Sequence, residues 1–563
     1  MQADDPTSDV SWYAEAAAPA LERPRLTFDL DVDVCVVGGG LAGLTTAREI
    51  ARRGWSVALL EAQTVGAGAS GRNLGFVIPG FQEDAERIVE RVGLDHAREL
   101  WALSEQGVDY VRDTVSDTAM PGVEPVAGWI NVSKFREDPK ILAEANLLSE
   151  KFGAQVEIWS KQQVRAVLKS PLYQNGIHFP HAFHIHPRNY ALGLAAAAEQ
   201  AGVRIFEHTP ALSFDPTGIR KRIGTPSARV RAPQIVLAGN TGLAALAPQL
   251  AASLLPVTSF VALTAPLGDK LREAITYQGG VSDSESVDNH YRIIDGDRLI
   301  WSGGQWMWDA DPRRYARRIA ADIRRAFPRL GKVVVERIWS GTASVAVHGM
   351  PQIGEMARGV WVANAFSGQG LNTTAVAGQL IARGVVDNDE TWRLFSPYDL
   401  VWAGGTAGRV AWQVQHWMHR TRERFDALLL AEEISPEQPA SATSMAEPVS
   451  VPIAEQPAME IPLMPAAPVA AAAATAPASQ AVDGTASPAG TVPAGHPPAP
   501  AAREPRRKPA KDKATAAPNK SAKKAAVTGE KAEAKIAPEA EPPAAGIAPE
   551  AEPPAAGRIT AES

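Results

Sequence analysis

The sequence predicts an α/β chain, α+β overall. A parallel-sheet domain is assembled from discontinuous segments, a mixed antiparallel-sheet domain is inserted into it, and a disordered C-terminal tail follows. Three observations predict this. The stretch "DVDVCVVGGGLAGLTTAREIARRGWSVALLEA" reads strand, glycine turn, helix, strand, the start of a βαβ unit and so of a parallel sheet. Strand-then-glycine-loop elements recur near 34–43, 235–242 and 360–370, with mixed antiparallel patterns between them. No Phe, Trp or Tyr follows Phe425, and Ala, Pro, Glu and Lys dominate from about residue 431; such a segment cannot bury enough apolar surface to offset its ordering entropy.

Residues 1–30 read as an arm with "SWY" as an anchor. The run Val34–Val37 suits a strand buried on both faces. Leu44 to Ile50 carries the helix, and Arg52-Arg53-Gly54 closes it with cations and a glycine. Helical patterns around 84–117 and 138–153 flank short strands such as "GWINVS". "HPRNYALGLAAAAEQAGVRIFEHTPALSF" is helix then strand, with Pro187 near the helix start. Between about 255 and 310, "VTSFVALTAPL", "HYRIIDGDRLIWSGG" and "QWMW" read as antiparallel strands, with "DGD" as a hairpin signal. Residues 409–430 form a last helix. The expected assignment is an arm at 1–30, a Rossmann-like domain from 31–80, 178–250 and 330–395, and an inserted substrate domain from 81–177 and 251–329. A C-terminal helix at 396–432 and a disordered tail at 433–563 complete it.

The chain has 563 residues, 45% of them hydrophobic and 21% charged, with net charge −7, ordinary globular values that point to no particular partner. The single cysteine, Cys35, excludes an intramolecular disulfide framework and reads as a small core residue in a reducing, cytoplasmic setting. The first thirty residues show no basic start followed by an apolar run, so no signal peptide is expected. No transmembrane segment is expected either. In the tail, "IAPEAEPPAAG" occurs twice in tandem and residues 503–535 hold 11 Lys/Arg against 4 Asp/Glu. No aromatic is interleaved there, so a solvated tail is expected rather than a specific nucleic-acid contact. Nothing in it names a partner.

Gly38-x-Gly40-x-x-Gly43, followed by Glu61 at the end of the next strand, carries the chemistry. Gly38 allows a tight turn, Gly40 lets the backbone approach a pyrophosphate, and Gly43 lets the helix pack closely on the sheet; Glu61 can accept the ribose hydroxyls. This pattern leaves FAD and NAD both open. "HAFHIHP" holds three histidines at alternating spacing, but no nearby Cys or acid completes a metal site, so no metal is expected.

The loop "VGAGASGRNLGF" resembles that of the D-amino-acid oxidase superfamily of FAD-dependent amine oxidoreductases, which includes glycine and sarcosine oxidases. Ala69, Ser70, Gly71, Arg72, Asn73 and Gly75 match; Leu74 stands where many members have glycine. The resemblance covers about 10–430 and is nearest the γ-glutamylputrescine oxidase-like branch, through "SWYA", "HPRNYALGLA", "VLAGN", "FSGQG" and "AGGTAGR". It implies FAD held without a covalent bond, with Ser70 at the pyrophosphate and Arg72 and Asn73 along the flavin. Gly239 would be a second FAD contact, and backbone near Ala211 would touch adenine. Ser367, Gly368 and Gly370 open a helix whose positive end would face the flavin and stabilise its reduced, negative form. On the substrate side the resemblance points to Tyr291 or Arg292. His348 stands where the family usually has Asp, and is either a substrate contact or a histidine satisfied within the fold. The implied activity is oxidation of a C–N bond in a small amine or N-substituted amino acid, a γ-glutamylputrescine-like compound first, by hydride transfer to flavin N5. The imine hydrolyses to an aldehyde or keto acid, and O₂ is the acceptor, giving H₂O₂. The alternatives are an NAD-dependent dehydrogenase with the same fingerprint, and a non-catalytic flavoprotein with a basic interaction tail.

Overall fold

Val34–Val37 is buried along its whole length, and strand alternation sends its side chains into two different cores. Val34 and Val36 join a core shared with the helices Leu41–Ala51, Leu94–Asp117, Pro187–Gln200 and Gly370–Asp387. Cys35 and Val37 join a second core on the opposite face. Burial pushes the Cys35 thiol up to about 12, as befits the core residue expected from sequence. This computed structural model describes residues 11–135, 139–283, 289–308, 311–415 and 417–418. The predicted tail at 433–563, with its repeat and basic stretch, and the later part of the predicted helix 409–430 lie outside the described residues.

Six strands form the central sheet, in the order Gln352–Ala357, Val360–Asn364, Gln234–Leu237, Val34–Val37, Val57–Leu60, Arg204–Phe206. All neighbours are parallel except the first pair. From Val34–Val37 the chain proceeds outward on one side to Val57–Leu60 and on the other to Gln234–Leu237. The strand order therefore reverses beside it, and an α/β sheet has its crevice at such a point, beyond the carboxyl ends of the strands. A small sheet ordered Leu30–Asp31, Arg229–Ala232, Lys221–Gly224, Ser213–Asp215 supplies the second core.

The mixed sheet has nine strands. Its path runs Val335–Ala346, Leu254–Thr264, Arg298–Trp306, Asn289–Ile294, Gly280–Asp283, Val126–Ser133, Asn175–His184, Phe76–Val77, with Glu157–Trp159 paired onto Asn175–His184. Only Gly280–Asp283 and Val126–Ser133 pair in parallel. Three of these strands, 76–77, 175–184 and 335–346, carry residues that fall in the segments expected from sequence to be Rossmann-like. A run such as "VERIWSGTASVA" carries no local mark of its sheet; pairing with Leu254–Thr264 along its length decides it.

Near the start of the described chain, Ser11 caps the short helix Trp12–Glu15, and Tyr13 is fully buried. Arg23 grips Glu199 through two bonds of 2.9 and 2.8 Å. A helix at 405–415 starts four residues before the predicted 409, and its Gln413 accepts from the backbone N–H of Met307 at 3.2 Å. Among the described residues, no helix is long and apolar enough to cross a membrane.

Candidate active site

A cavity of about 1840 Å³ opens where the strand order reverses. Residues at the carboxyl ends of four parallel strands line it: Gly38 and Gly40, Glu61, Gly239, and Asn364. Gly38 has φ +115°, and a Cβ there would stand 2.5 Å from the Ala238 carbonyl oxygen, so the turn requires glycine. A Cβ on Gly43 would stand 2.0 Å from the Gly38 carbonyl oxygen; Gly43 does not line the cavity and serves helix–strand packing. The helix Leu41–Ala51 starts at Gly40 with no side-chain cap from that residue. Instead, the Leu41 N–H donates to Ser70 Oγ at 3.1 Å. The Glu61 carboxylate accepts from the N–H of Gly39 at 2.6 Å and of Gln63 at 2.8 Å.

The loop from Val65 to Phe76 is fastened at both ends and in the middle. Val65 donates its N–H to Glu207 at 2.7 Å, and Arg188 donates to its carbonyl. Asn73 gives its amide to the carbonyls of Ala69 and Ser70, and its Oδ1 accepts from Gly75 N–H at 2.7 Å. Arg72 donates to the carbonyls of Ala67 and Ser340 at 2.9 and 3.1 Å. The Trp339 indole returns a bond to the Arg72 carbonyl at 2.9 Å. Leu74 is buried with Tyr13, Val261, Leu263 and Trp339, where a glycine would leave that small core short of a side chain. Ser70, Arg72, Asn73 and Leu74 all line the cavity.

On the other side, Val360–Asn364 leads into a strained turn. Ala365 and Ser367 take positive φ values of 59° and 54°, a conformation that non-glycine residues hold only where the surroundings enforce it. Gln369 precedes the helix Gly370–Asp387 without a side-chain cap, so the helix presents its positive end to the cavity. Ser367, Gly368 and Gly370 line the wall there.

The nine-stranded sheet forms the opposite wall. Its register sets Asn131 beside Ser282, Ser282 beside His290, and His290 beside Ser302; all four line the cavity. Ser282 Oγ accepts from the Trp129 indole at 2.9 Å and lies 2.7 Å from His290 Nδ1. Burial pulls the His290 ring down to about 4, against a smaller upward pull from Asp283, so the ring is neutral near pH 7.

None of the three sequence-derived substrate-side candidates lines this cavity. Tyr291 points away from His290, stacks on Trp301 at 4.3 Å and bonds Tyr173 at 3.3 Å. Arg292 is buried, donating to Leu74 O at 2.8 Å, Tyr13 OH at 3.1 Å and His184 Nδ1 at 3.2 Å. His348 faces the Asp399 carbonyl at 3.3 Å and accepts from Met350 N–H at 3.2 Å, so it is the satisfied histidine of the two readings. Alternation alone puts 290 and 292 on one face, but "HYRII" does not say that Tyr13 covers Arg292. Ala211 also lies off the cavity, against the core behind the sheet. The histidines of "HAFHIHP" take separate partners: Gln155 for His181, Gln278 and Arg292 for His184, and the Asn189 N–H for His186.

The family model for DAO, FAD dependent oxidoreductase, matches residues 33–383. This chain belongs to that FAD-dependent oxidoreductase family. It is 29% identical over 392 residues to "Probable oxidoreductase OrdL" of Haemophilus influenzae, covering 68% of this chain and 90% of that one. It is 29% identical over 389 residues to gamma-glutamylputrescine oxidoreductase of Escherichia coli, covering 69% and 91%. Among solved structures it resembles glycine oxidase from Geobacillus kaustophilus, with TM-score 0.54, 21% identity and coverage of 66% and 99%. L-proline dehydrogenase from P. horikoshii gives TM-score 0.56 at 17% identity, with coverage of 66% and 98%. The protein is therefore an FAD-dependent enzyme, and both the NAD reading and the non-catalytic reading fall away.

The cavity of this FAD-dependent oxidoreductase fits the cofactor's chemistry. Two helix starts without caps from their own N-cap residues suit negative charge. A Cβ on Gly40 would intrude to 2.9 Å from Ser70 Oγ, narrowing the place where a pyrophosphate approaches the backbone. Gln369 Oε1 is buried with no partner among the described residues and stands in the wall as an acceptor.

Proposed function

We propose that the enzyme oxidises a C–N bond of a small amine or N-substituted amino acid, with a γ-glutamylputrescine-like compound as the first candidate. One observation carries the reading: the glycine fingerprint and an uncapped helix end share a cavity whose opposite wall is a polar, aromatic sheet face. Likeness to gamma-glutamylputrescine oxidoreductase supports the substrate class. Gly38, Gly40 and Ser70 would hold the pyrophosphate, Glu61 the ribose hydroxyls, and Gly239 a second FAD contact. The loop bearing Arg72 and Asn73 would lie along the flavin.

FAD bound there supplies N5 as acceptor for the hydride on the carbon next to the substrate nitrogen. The substrate nitrogen loses a proton, and water hydrolyses the resulting imine to an aldehyde or keto acid plus amine. O₂ would take up the two electrons with two protons as H₂O₂. The uncapped start of Gly370–Asp387, with Ser367 and Gly368, would favour negative charge on the reduced cofactor. A segmented domain at 31–80, 178–250 and 330–395 would carry FAD, and a cytoplasmic location accords with the lone buried Cys35. An aerobic panel of amines tests the reading, with peroxide and carbonyl product both measured. Equal amounts of the two from γ-glutamylputrescine or a related amine are expected. No carbonyl product from any amine, with FAD bound, would overturn it.

A further inference from the structure

The cavity face of the nine-stranded sheet carries one polar row across four neighbouring strands: Asn131, Ser282, His290 and Ser302. The row continues through Val261 to Trp339, the residue whose indole holds the Arg72 carbonyl. It therefore runs outward from the Arg72–Asn73 loop. At about 4.8 Å per strand, His290 stands roughly 14 Å along the sheet from Trp339, and Asn131 roughly 10 Å further.

His290 Nε2 and Asn131 Oδ1 are two atoms in this row without a hydrogen-bond partner among the described residues. Ser282 Oγ accepts the Trp129 N–H, so its own hydrogen is free, and His290 Nδ1 is the acceptor within reach at 2.7 Å. That bond places the hydrogen of the neutral ring on Nε2. Nε2 has no partner among the described residues, and the ring lines the cavity. Asn131 Oδ1 is buried and also has no partner among the described residues. Around them stand Phe76, Ile78, Trp129 and Phe179, which also line the cavity and supply no competing hydrogen bond except the indole already used by Ser282. A donor flanked by aromatic and aliphatic side chains discriminates, because a ligand that lacks the matching acceptor leaves it unpaired.

We infer that His290, oriented by Ser282 and Trp129, is the specificity-determining residue of this enzyme and donates from Nε2 to a carbonyl or carboxylate oxygen remote from the oxidised carbon. The inference rests on the proposed amine-oxidising activity. It assigns a polar selector to a face of the pocket that the sequence candidates Tyr291, Arg292 and His348 do not reach.

The test uses purified holoenzyme and non-oxidisable probes. Butyramide and butyrate, the amide and carboxylate arms, are titrated against the flavin absorbance spectrum, with tert-butylamine, which has no hydrogen on the carbon next to nitrogen, as the control that lacks an acceptor oxygen. Wild-type enzyme should bind at least one oxygen-bearing probe. His290→Phe should weaken that probe about tenfold or more and leave tert-butylamine within twofold. Ser282→Ala should weaken it less, and His290→Gln, which keeps a side-chain N–H, should recover most of the affinity. FAD content and thermal midpoint report folding of each variant, and Ser282→Ala carries the test if His290→Phe does not fold. The arm that loses affinity identifies the group recognised. Equal probe affinity in wild type and variants, or no probe binding to wild type, would overturn the assignment. Enzyme that binds probes through His290 but is reduced by no amine would uphold the site and contradict the activity instead.

Discussion

Two glycines in one fingerprint have different reasons, and each makes a separable prediction. Gly38 is required by its backbone angle of +115° and by the Ala238 carbonyl. Gly38→Ala should therefore lower fold stability by about 2 kcal/mol, visible as a lower denaturation midpoint in apoprotein as well as holoenzyme. Gly40 has only the flexible Ser70 hydroxyl near its missing side chain. Gly40→Val should leave the fold near wild type and yield protein without FAD; recovery of stoichiometric FAD would refute that role. The histidines make a prediction of opposite character. Burial holds His184 at about 3, and His186 and His290 at about 4. The unfolded chain binds protons below the ordinary value near 6.5, and the folded chain refuses them until much lower pH. Their neutral state therefore supports the fold fully above about 6.5, and that support declines as pH falls toward 4. Acidification from pH 7.5 to 5 should cost about 2 kcal/mol per histidine, read as a falling thermal midpoint. A flat profile would contradict the assignment.

At the scale of elements, the loop 65–76 reads in sequence as a soft, glycine-rich stretch, yet the fold clamps it. Arg72, Asn73, Trp339 and Arg292 bond it to itself and to the nine-stranded sheet. Trp339→Phe removes one clamp and should cost about 1 kcal/mol, with faster FAD release measured by dissociation into an excess of apo-glucose oxidase as FAD trap; unchanged release would mean that the loop does not depend on it. The contrast between loop and sheet shows what was legible. Gly38, Gly40, Gly43 and Glu61 lie within 24 residues of one another, so their spacing alone marks a dinucleotide site, while the choice of FAD over NAD comes from the resemblance of the loop 65–76. The polar row joins Asn131 to Ser302 through register across four strands, and no local pattern encodes such a register. Tyr291 and Arg292 adjoin His290, which lines the cavity, but Tyr291 faces away from it and the N-terminal Tyr13 covers Arg292. Leu74 becomes intelligible only once its partners from Tyr13 to Trp339 are assembled around it.

For the whole molecule, the reversal of strand order places a cavity where two sheets meet, one offering turns and helix ends, the other a polar and aromatic face. The family match spans residues 33–383, and the alanine- and proline-rich sequence beyond residue 431 lacks the apolar content of a core. Removal of 440–563 should thus leave FAD content and thermal midpoint unchanged; loss of either would show a role for the tail in the catalytic body. The central claim is that this cavity holds FAD and presents it to an amine. Anaerobic titration of the purified enzyme tests it most directly. The account predicts flavin bands at about 370 and 450 nm, the latter bleached by stoichiometric amine before any air is admitted. Bound FAD that no amine reduces would contradict it.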